Sequence, residues 1–110
     1  MSIPDIALAK IRRFCEHRTP PEFRNQMRLE ATSRGNSVTV SDHRPFWDTS
    51  DEWVSMKIAQ LRYQPETQEW TLYWADSNSR WHRYDDLEST RDLDAVIAEI
   101  DEDPTCIFFG

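Results

Sequence analysis

The sequence predicts an α+β domain: an N-terminal helix, an antiparallel meander of about five strands, and a C-terminal helix packed on the sheet. Three observations predict this class. Apolar residues recur at helical spacing near both ends, they alternate with polar residues in the middle, and turn-forming residues separate the alternating runs. A chain of 110 residues with 38% hydrophobic residues suffices for one core and is short for two. We therefore expect residues 1–110 to form a single domain.

The first segment has the pattern of an amphipathic helix. Ser2 is a candidate N-cap, and Pro4 suits the first turn because its fixed φ is already helical. Apolar residues then form one stripe at helical spacing: Ile3, Ala7, Ile11, Phe14 and Cys15. The Thr-Pro-Pro run at residues 19–21 ends the helix, since each proline disfavours helical geometry in the residue before it. One short helical turn over residues 22–26 is the expected continuation.

Two strands joined by a tight turn are predicted next. Residues 27–31 alternate between apolar and polar side chains, which is the period of a half-buried strand. Residues 34–37 supply the turn, because Gly and Asn tolerate a positive φ. The alternation resumes over residues 38–40, until Pro45 interrupts it and a polar loop follows at residues 48–52.

The middle of the chain carries the strongest strand pattern. A turn at residues 65–68 aligns three pairs on one side of a hairpin: Tyr63 with Trp70, Leu61 with Leu72, and Ala59 with Trp74. A second turn at residues 76–79 then places Trp81 opposite Trp74 on that same side. We predict that this apolar, aromatic side of the sheet is its core face.

The opposite side of the same sheet is the candidate binding face. In this register it carries Arg62, Tyr73, His82 and Tyr84, with Gln60 beside them. Aromatic rings next to hydrogen-bond donors suit a nucleotide, a peptide or a single-stranded nucleic acid. A bulge or a one-residue slip in the second hairpin would instead turn His82 and Tyr84 inward. If this face has no binding function, these side chains simply fill cross-strand positions or are covered by the first helix.

The C-terminal helix is the clearest single element. Ser89 or Thr90 is its expected cap, and Asp92 lies in its first turn. Its apolar residues follow the i, i+3, i+4, i+7 rule: Leu93, Val96, Ile97 and Ile100. Its other face is strongly acidic, so one side is expected to pack on the sheet. Pro104 ends the helix, and the apolar residues 106–110 should dock into the core or pair as a short strand.

Charge is divided unevenly along the chain. The formal net charge is -7, yet residues 1–44 hold eight Lys/Arg against five Asp/Glu. This division is explained if the basic N-terminal part lies near the acidic C-terminal helix; alternatively, one of the two patches binds a partner. The negative total argues against nucleic-acid binding. An N-terminal group of arginines keeps that interpretation open: Arg12, Arg13, Arg18, Arg24 and Arg28.

The sequence contains no familiar catalytic or metal-binding motif. It lacks the GxSxG elbow, the P-loop, GxGxxG and HExxH. The closest approach to a metal site is His82 with Asp76, Asp85 and Asp86. A calcium loop starting at Asp76 fails because neither its glycine nor its final glutamate is present. We therefore expect no metal and no cofactor, and a metal-dependent hydrolase is the least favoured function.

The two cysteines and the hydropathy pattern indicate the compartment. Cys15 and Cys106 lie 91 positions apart and form no CxxC pair, so we expect both to be reduced and structural. No apolar stretch is long enough to span a membrane, and the N-terminus lacks the pattern of a secretory signal. A cytoplasmic protein without membrane contact is expected.

Several segments together resemble a small bacterial family that is catalogued as a domain of unknown function. They are EWTLYWAD at 69–76, WHRYDDL at 81–87 and DPTCIFFG at 103–110, supported by IRRFCE at 11–16 and PPE at 20–22. The resemblance implies no activity, cofactor or partner. It does imply glycines at three positions where this chain has Gln68, Ser79 and Cys106.

These observations favour a non-enzymatic binding or regulatory module that acts through a surface patch on its antiparallel sheet. One alternative is small-molecule, nucleotide or nucleic-acid binding on the face with Tyr73, His82 and Tyr84. Another is a protein partner or a homodimer contact, for which the acidic helix, the apolar tail and a second sheet face are the candidate surfaces.

Overall fold

The residues that the structure describes form two helices and a five-stranded sheet. The computed structural model describes residues 3–18, 28–45 and 53–108. The elements are α1 (Asp5–Arg18), β1 (Arg28–Arg34), β2 (Ser37–Pro45), β3 (Trp53–Gln64), β4 (Glu69–Ala75), β5 (Trp81–Arg83) and α2 (Leu93–Glu102). The strands lie in the order β1-β2-β3-β4-β5, and every neighbouring pair is antiparallel. The predicted α+β meander is thus confirmed. The predicted Ser2 cap, the helical turn at 22–26 and the loop at 48–52 lie outside the described residues.

Both helices pack on the same side of the sheet and enclose one core. The predicted stripe of α1 is buried, and its central residue Ile11 is almost fully covered. From α2 the buried residues are Leu93, Val96 and Ile100. The sheet contributes Leu29, Val38, Val40, Ala59, Leu61, Trp70 and Leu72 to the same cluster. Burial of this apolar area is the main favourable term that holds the helices to the sheet.

The register between β3 and β4 is the predicted one. Ala59 lies opposite Trp74, Leu61 opposite Leu72, and Tyr63 opposite Trp70. The β2–β3 register, by contrast, shifts between Val40 and Ser41 because β3 contains one extra residue there, Ile58. The sequence pattern did not predict this bulge, since Ile58 and Ala59 are both apolar and both buried.

The register between β4 and β5 differs from the predicted one by one residue. Trp74 lies opposite His82, and Ala75 opposite Trp81, so the prediction that Trp74 faces Trp81 is wrong. The connecting loop spans five residues, 76–80, rather than four. It is closed by the Asp76 amide, which donates to the Arg80 carbonyl at 2.9 Å. The extra residue reverses the facing of all the side chains that follow.

The C-terminal helix begins later than predicted, and the sheet explains why. Thr90 forms an isolated bridge with Trp70 through two backbone hydrogen bonds of 2.7 and 3.0 Å, so it belongs to the sheet edge. Asp92 is the N-cap instead, and its side chain accepts a hydrogen bond from the Ala95 amide. The predicted cap at Ser89 or Thr90 is therefore wrong, although the apolar stripe of the helix was predicted correctly.

The apolar tail docks into the core, which was one of the two predicted outcomes. Phe108 is buried, and its amide donates to Asp103 Oδ1 at 3.0 Å. Asp103 itself takes a left-handed φ of 46° as the C-cap of α2. The tail therefore folds back beneath the helix that it follows.

The two helices also meet through charge, as one interpretation of the uneven charge distribution predicted. Lys10 pairs with Asp94 at 3.3 Å, and Arg18 pairs with Asp101 at 2.8 Å. Both ion pairs are solvent-exposed and contribute little to stability. Among the described residues, no helix has the length and apolar character needed to cross a bilayer. Cys15 is buried and Cys106 is exposed, so a structural role fits the first cysteine only.

Candidate functional site

The side of the sheet that faces away from α1 and α2 is polar and basic; we call it the open face. The strand register assigns these charged and aromatic side chains to it: Arg28, Glu30, Arg34, His43, Lys57, Arg62, Glu69, Tyr73, Trp81 and Arg83. Five of them are Lys or Arg and two are Glu, although the whole chain has a net charge of -7. In the part of the chain that the structure describes, both helices pack on the opposite side. The open face therefore combines accessible rings with excess positive charge.

A chain of contacts across three strands forms the centre of the open face. The Arg62 guanidinium lies over the Tyr73 ring, with Cζ 3.8 Å from the ring centroid. Arg62 Nε donates to Gln60 Oε1 at 2.7 Å, and Gln60 Nε2 donates to Thr39 Oγ1 at 3.2 Å. The guanidinium is thereby held between an amide and a ring, while its Nη groups remain available to an anionic or polar ligand.

A concavity of about 550 Å³ lies over this centre. Its walls include Arg62, Tyr73, Gln60, Thr71 and Ser37, so hydroxyl, amide, guanidinium and phenol groups converge on one space. A shallow site of this size with several converging polar groups is suited to one planar, polar group such as a nucleobase.

A second ring with a cation lies next to the first. Lys57 Nζ is 5.7 Å from the centroid of the Trp81 ring, within the range of a cation–π contact. Trp81 lies two residues before Arg83, and Arg83 is opposite Tyr73. Trp81 and Tyr73 are therefore diagonal neighbours on the open face, whose side chains lie about 7–8 Å apart in such a pairing.

An acidic loop borders one edge of the open face. Thr71 Oγ1 and Ser89 Oγ are 2.7 Å apart, which brings the loop of residues 85–89 to the edge of β4. This loop contains Asp85, Asp86 and Glu88. A negatively charged ligand would therefore extend away from this loop, towards β3 and β1.

The structure divides the four predicted ligand-binding residues among three places. Arg62 and Tyr73 lie together on the open face, as predicted. His82 lies on the other side of the sheet, and Tyr84 is buried in the core with 3% of its surface exposed. The prediction that all four share one face is wrong, because the five-residue loop shifts the register of β5. The same shift places Trp81 on the open face, where the one-residue slip considered above would have put it.

Tyr84 is a structural residue that fastens α2 and the tail to the sheet. Its hydroxyl donates to Glu99 Oε2 at 2.7 Å, and its ring lies 5.1 Å from that of Phe108. Burial is the main cause that raises the pKa of Tyr84; a hydrogen bond with Thr105 opposes it, and the Glu99 carboxylate raises the pKa further. The phenol therefore stays protonated and keeps its hydrogen bond at neutral pH.

His82 takes part in a separate cluster at the loop between β4 and β5. Its Nε2 lies 2.7 Å from Asp76 Oδ2, and its ring stacks on that of Trp74 at 4.7 Å. Asp76 Oδ1 accepts hydrogen bonds from the Asn78 and Arg80 amides. The hydrogen bond from His82 is the main cause that lowers the pKa of Asp76. These contacts shape the loop, and within residues 3–18, 28–45 and 53–108 no three metal-ligating side chains converge.

A second concavity, of about 560 Å³, is a groove between the two helices. Phe14 and Ile97 are its apolar residues, and Lys10 and Arg18 of α1 line it. Both of these cations already pair with carboxylates of α2. The groove thus offers a ligand less unsatisfied chemistry than the open face. The described part of the predicted arginine cluster does not form one patch either, because α1 and the Arg28 side chain lie on opposite sides of the sheet. Arg24 lies outside the described residues.

Comparison with known proteins identifies a family over nearly the whole chain. Residues 2–110 match the family described as a domain of unknown function, DUF3024. The chain belongs to the DUF3024 family. No curated protein and no solved structure shows a significant match to it. The three positions at which the resemblance implied glycine, Gln68, Ser79 and Cys106, have φ values of 58°, 63° and 59° in this DUF3024 domain. That left-handed backbone conformation favours glycine over other residues.

Proposed function

We propose that this DUF3024 domain is a non-enzymatic binding module whose ligand-binding surface is the open face. The observation that carries the proposal is the arrangement of Arg62 between Gln60 and Tyr73, at distances of 2.7 and 3.8 Å. Both Arg62 and Tyr73 remain partly exposed. A guanidinium that is already oriented loses less conformational freedom when it binds a ligand, and this favours affinity.

The two sides of the sheet differ in composition, and this difference supports the proposal. The apolar core lies wholly on the helix side, where Leu61 and Leu72 are buried. The open face carries rings and cations that this core does not need, since Tyr73 and Trp81 are only half-buried. Aromatic residues and arginines that are not required for packing are the residue types that dominate binding surfaces.

An adaptor function through the acidic α2 has less support. Asp94 and Asp101 of this helix already pair with Lys10 and Arg18 of α1. Part of the acidic surface is thus neutralised within the molecule, which reduces the field available to attract a basic partner. The open face has the opposite property, since its basic residues outnumber its acidic ones.

The proposal can be tested by mapping amide chemical shifts of the ¹⁵N-labelled protein. The probes are uridine monophosphate, oligouridine and hexaglutamate, added separately. Shifts should concentrate at Gln60, Arg62, Tyr73 and Trp81 for at least one probe. Arg62→Gln should abolish them, whereas Arg12→Gln, which removes the same charge from an exposed position on α1, should not. Shifts confined to the groove between the helices, or none with any probe, would contradict the proposal.

A further inference from the structure

We infer that the ligand of the open face is a single-stranded nucleic acid, whose bases stack on the Arg62–Tyr73 pair and on Trp81 and whose phosphates contact the surrounding cations. The inference rests on the proposed function and names the ligand class for the same surface. Three observations carry it: the segregation of charge, the spacing of the two rings, and the line of cations across the strands.

The net charge of -7 argues against nucleic-acid binding, but the charges are unevenly distributed over the surface. The open face has five Lys/Arg and two Glu, and one of these acids, Glu30, lies 3.9 Å from Arg28 on the same face. Many of the acidic residues belong instead to α2 and to the loop before it. A phosphate backbone responds to the local potential of the surface that it contacts, and this surface is basic.

The two rings are placed to receive neighbouring bases. Tyr73 and Trp81 are diagonal neighbours on one face of paired strands, so their side chains are about 7–8 Å apart. Sheets that bind single-stranded RNA stack two or three unpaired bases on aromatic side chains that point out of one face. Each ring here has a cation beside it, Arg62 at 3.8 Å and Lys57 at 5.7 Å. The Arg62 guanidinium can also stack against a base through its own plane.

The strand register sets cations along a path across the sheet. Arg34 of β1, Ser37 of β2, Arg62 of β3 and Thr71 of β4 occupy one row of directly opposed residues. The next row contains Gln60, Tyr73 and Arg83. A strand laid from Trp81 over Tyr73 towards Arg34 would pass Arg83, Arg62 and Arg34 and would extend away from the acidic loop at residues 85–89.

The extent of this path favours an oligonucleotide over both a mononucleotide and a duplex. One nucleotide spans the concavity beside Arg62 but leaves Trp81, Lys57 and Arg34 unused. A duplex keeps its bases stacked inside the helix, so the two rings would gain nothing from it. Only unpaired bases can use the rings and the cations together.

The test is fluorescence anisotropy with labelled oligothymidine and oligouridine of about twelve nucleotides, and with a duplex of equal length. The single strands should bind at least about tenfold more tightly than the duplex. Their affinity should fall roughly tenfold between about 50 and about 200 mM salt, as expected for two or three phosphate contacts. Arg62→Gln, Tyr73→Ala and Trp81→Ala should each weaken binding by about tenfold. Arg12→Gln should leave it within about twofold, and circular dichroism should show every variant folded.

Each other outcome overturns a stated part of the argument. If the duplex binds as tightly as the single strands, or if Arg12→Gln weakens binding as much as Arg62→Gln, the inference is wrong. If the oligonucleotides fail but uridine monophosphate or hexaglutamate still shifts the amides of the open face, the inference falls and the proposed binding module stands. If no probe shifts those amides, both fall.

Discussion

Tyr84 donates its hydroxyl hydrogen to Glu99 across 2.7 Å and thereby links the end of β5 to α2. Tyr73 of β4 lies opposite Arg83 of β5. Its side chain points to the other side of the sheet and is half-buried. The sequence pattern assigned both tyrosines to one face of the sheet, but the structure places them on opposite sides. One belongs to the core and the other to the candidate binding surface.

The first prediction compares truncation of these two tyrosines. Tyr84→Ala should lower the free energy of unfolding by about 3–5 kcal/mol, because it opens a cavity beside Phe108 and removes the bond to Glu99. Tyr73→Ala should cost less than about 1 kcal/mol, since a half-exposed ring contributes little to folding. Urea denaturation measures both values. Equal losses would mean that Tyr73 is a structural residue and would remove the centre of the proposed site.

The second prediction concerns alkaline pH. Because the pKa of Tyr84 is raised in the folded protein, its contribution to stability is complete below the unfolded value of about 10 and is lost as the pH rises through the folded value. The unfolding midpoint in urea should therefore fall as the pH rises above about 10. Tyr84→Phe should be less stable than the wild type at pH 8 but should lose less on going to pH 11. A parallel decline in both proteins would contradict this assignment.

Much of the fold follows from long periodic patterns, and the pairing of β3 with β4 shows why. The three opposed pairs on the core side, from Ala59 with Trp74 to Tyr63 with Trp70, are all apolar, so a one-residue slip would bury polar side chains instead. The helices were predictable for the same reason, because each stripe repeats over several turns. Such patterns are redundant, and one misread residue does not change them.

The pairing of β4 with β5 lacks this redundancy. For this reason the sequence assigned His82 and Tyr84 to the wrong side of the sheet. β5 has only three residues, and Trp81 and Tyr84 lie on opposite sides of the sheet, so their aromatic character does not select a register. Loop length decided it, through the hydrogen bonds of Asp76 and the left-handed backbone of Ser79. A four-residue and a five-residue loop look alike in composition. Arg62 and Tyr73 were therefore predictable as neighbours, whereas Trp81 was not.

The third prediction concerns the two thiols. Burial raises the pKa of Cys15 to about 11, and its side chain lies in the core, so its reactive thiolate is scarce at neutral pH. Cys106 is exposed. One thiol per chain should react promptly with Ellman's reagent at pH 8, and the second only after unfolding in urea. Cys106→Ser should remove the fast phase, and a fast phase that persists in this variant would contradict the burial of Cys15.

The last prediction concerns two turns in which a residue other than glycine has a left-handed backbone conformation. Gln68 and Ser79 have φ values of 58° and 63°. In this conformation Cβ crowds the backbone, and glycine avoids the resulting strain because it has no Cβ. Ser79→Gly and Gln68→Gly should each raise the free energy of unfolding by about 0.5–1 kcal/mol, the relief of strain less the added freedom of the unfolded chain. Ser77→Gly is the matched control, since Ser77 lies in the same loop without a positive φ and should lose about 0.5 kcal/mol instead. Thermal and urea unfolding give the comparison. If Ser79→Gly and Ser77→Gly change stability in the same direction, the left-handed turn at Ser79 is wrong, and with it the five-residue loop that turns Trp81 towards the open face.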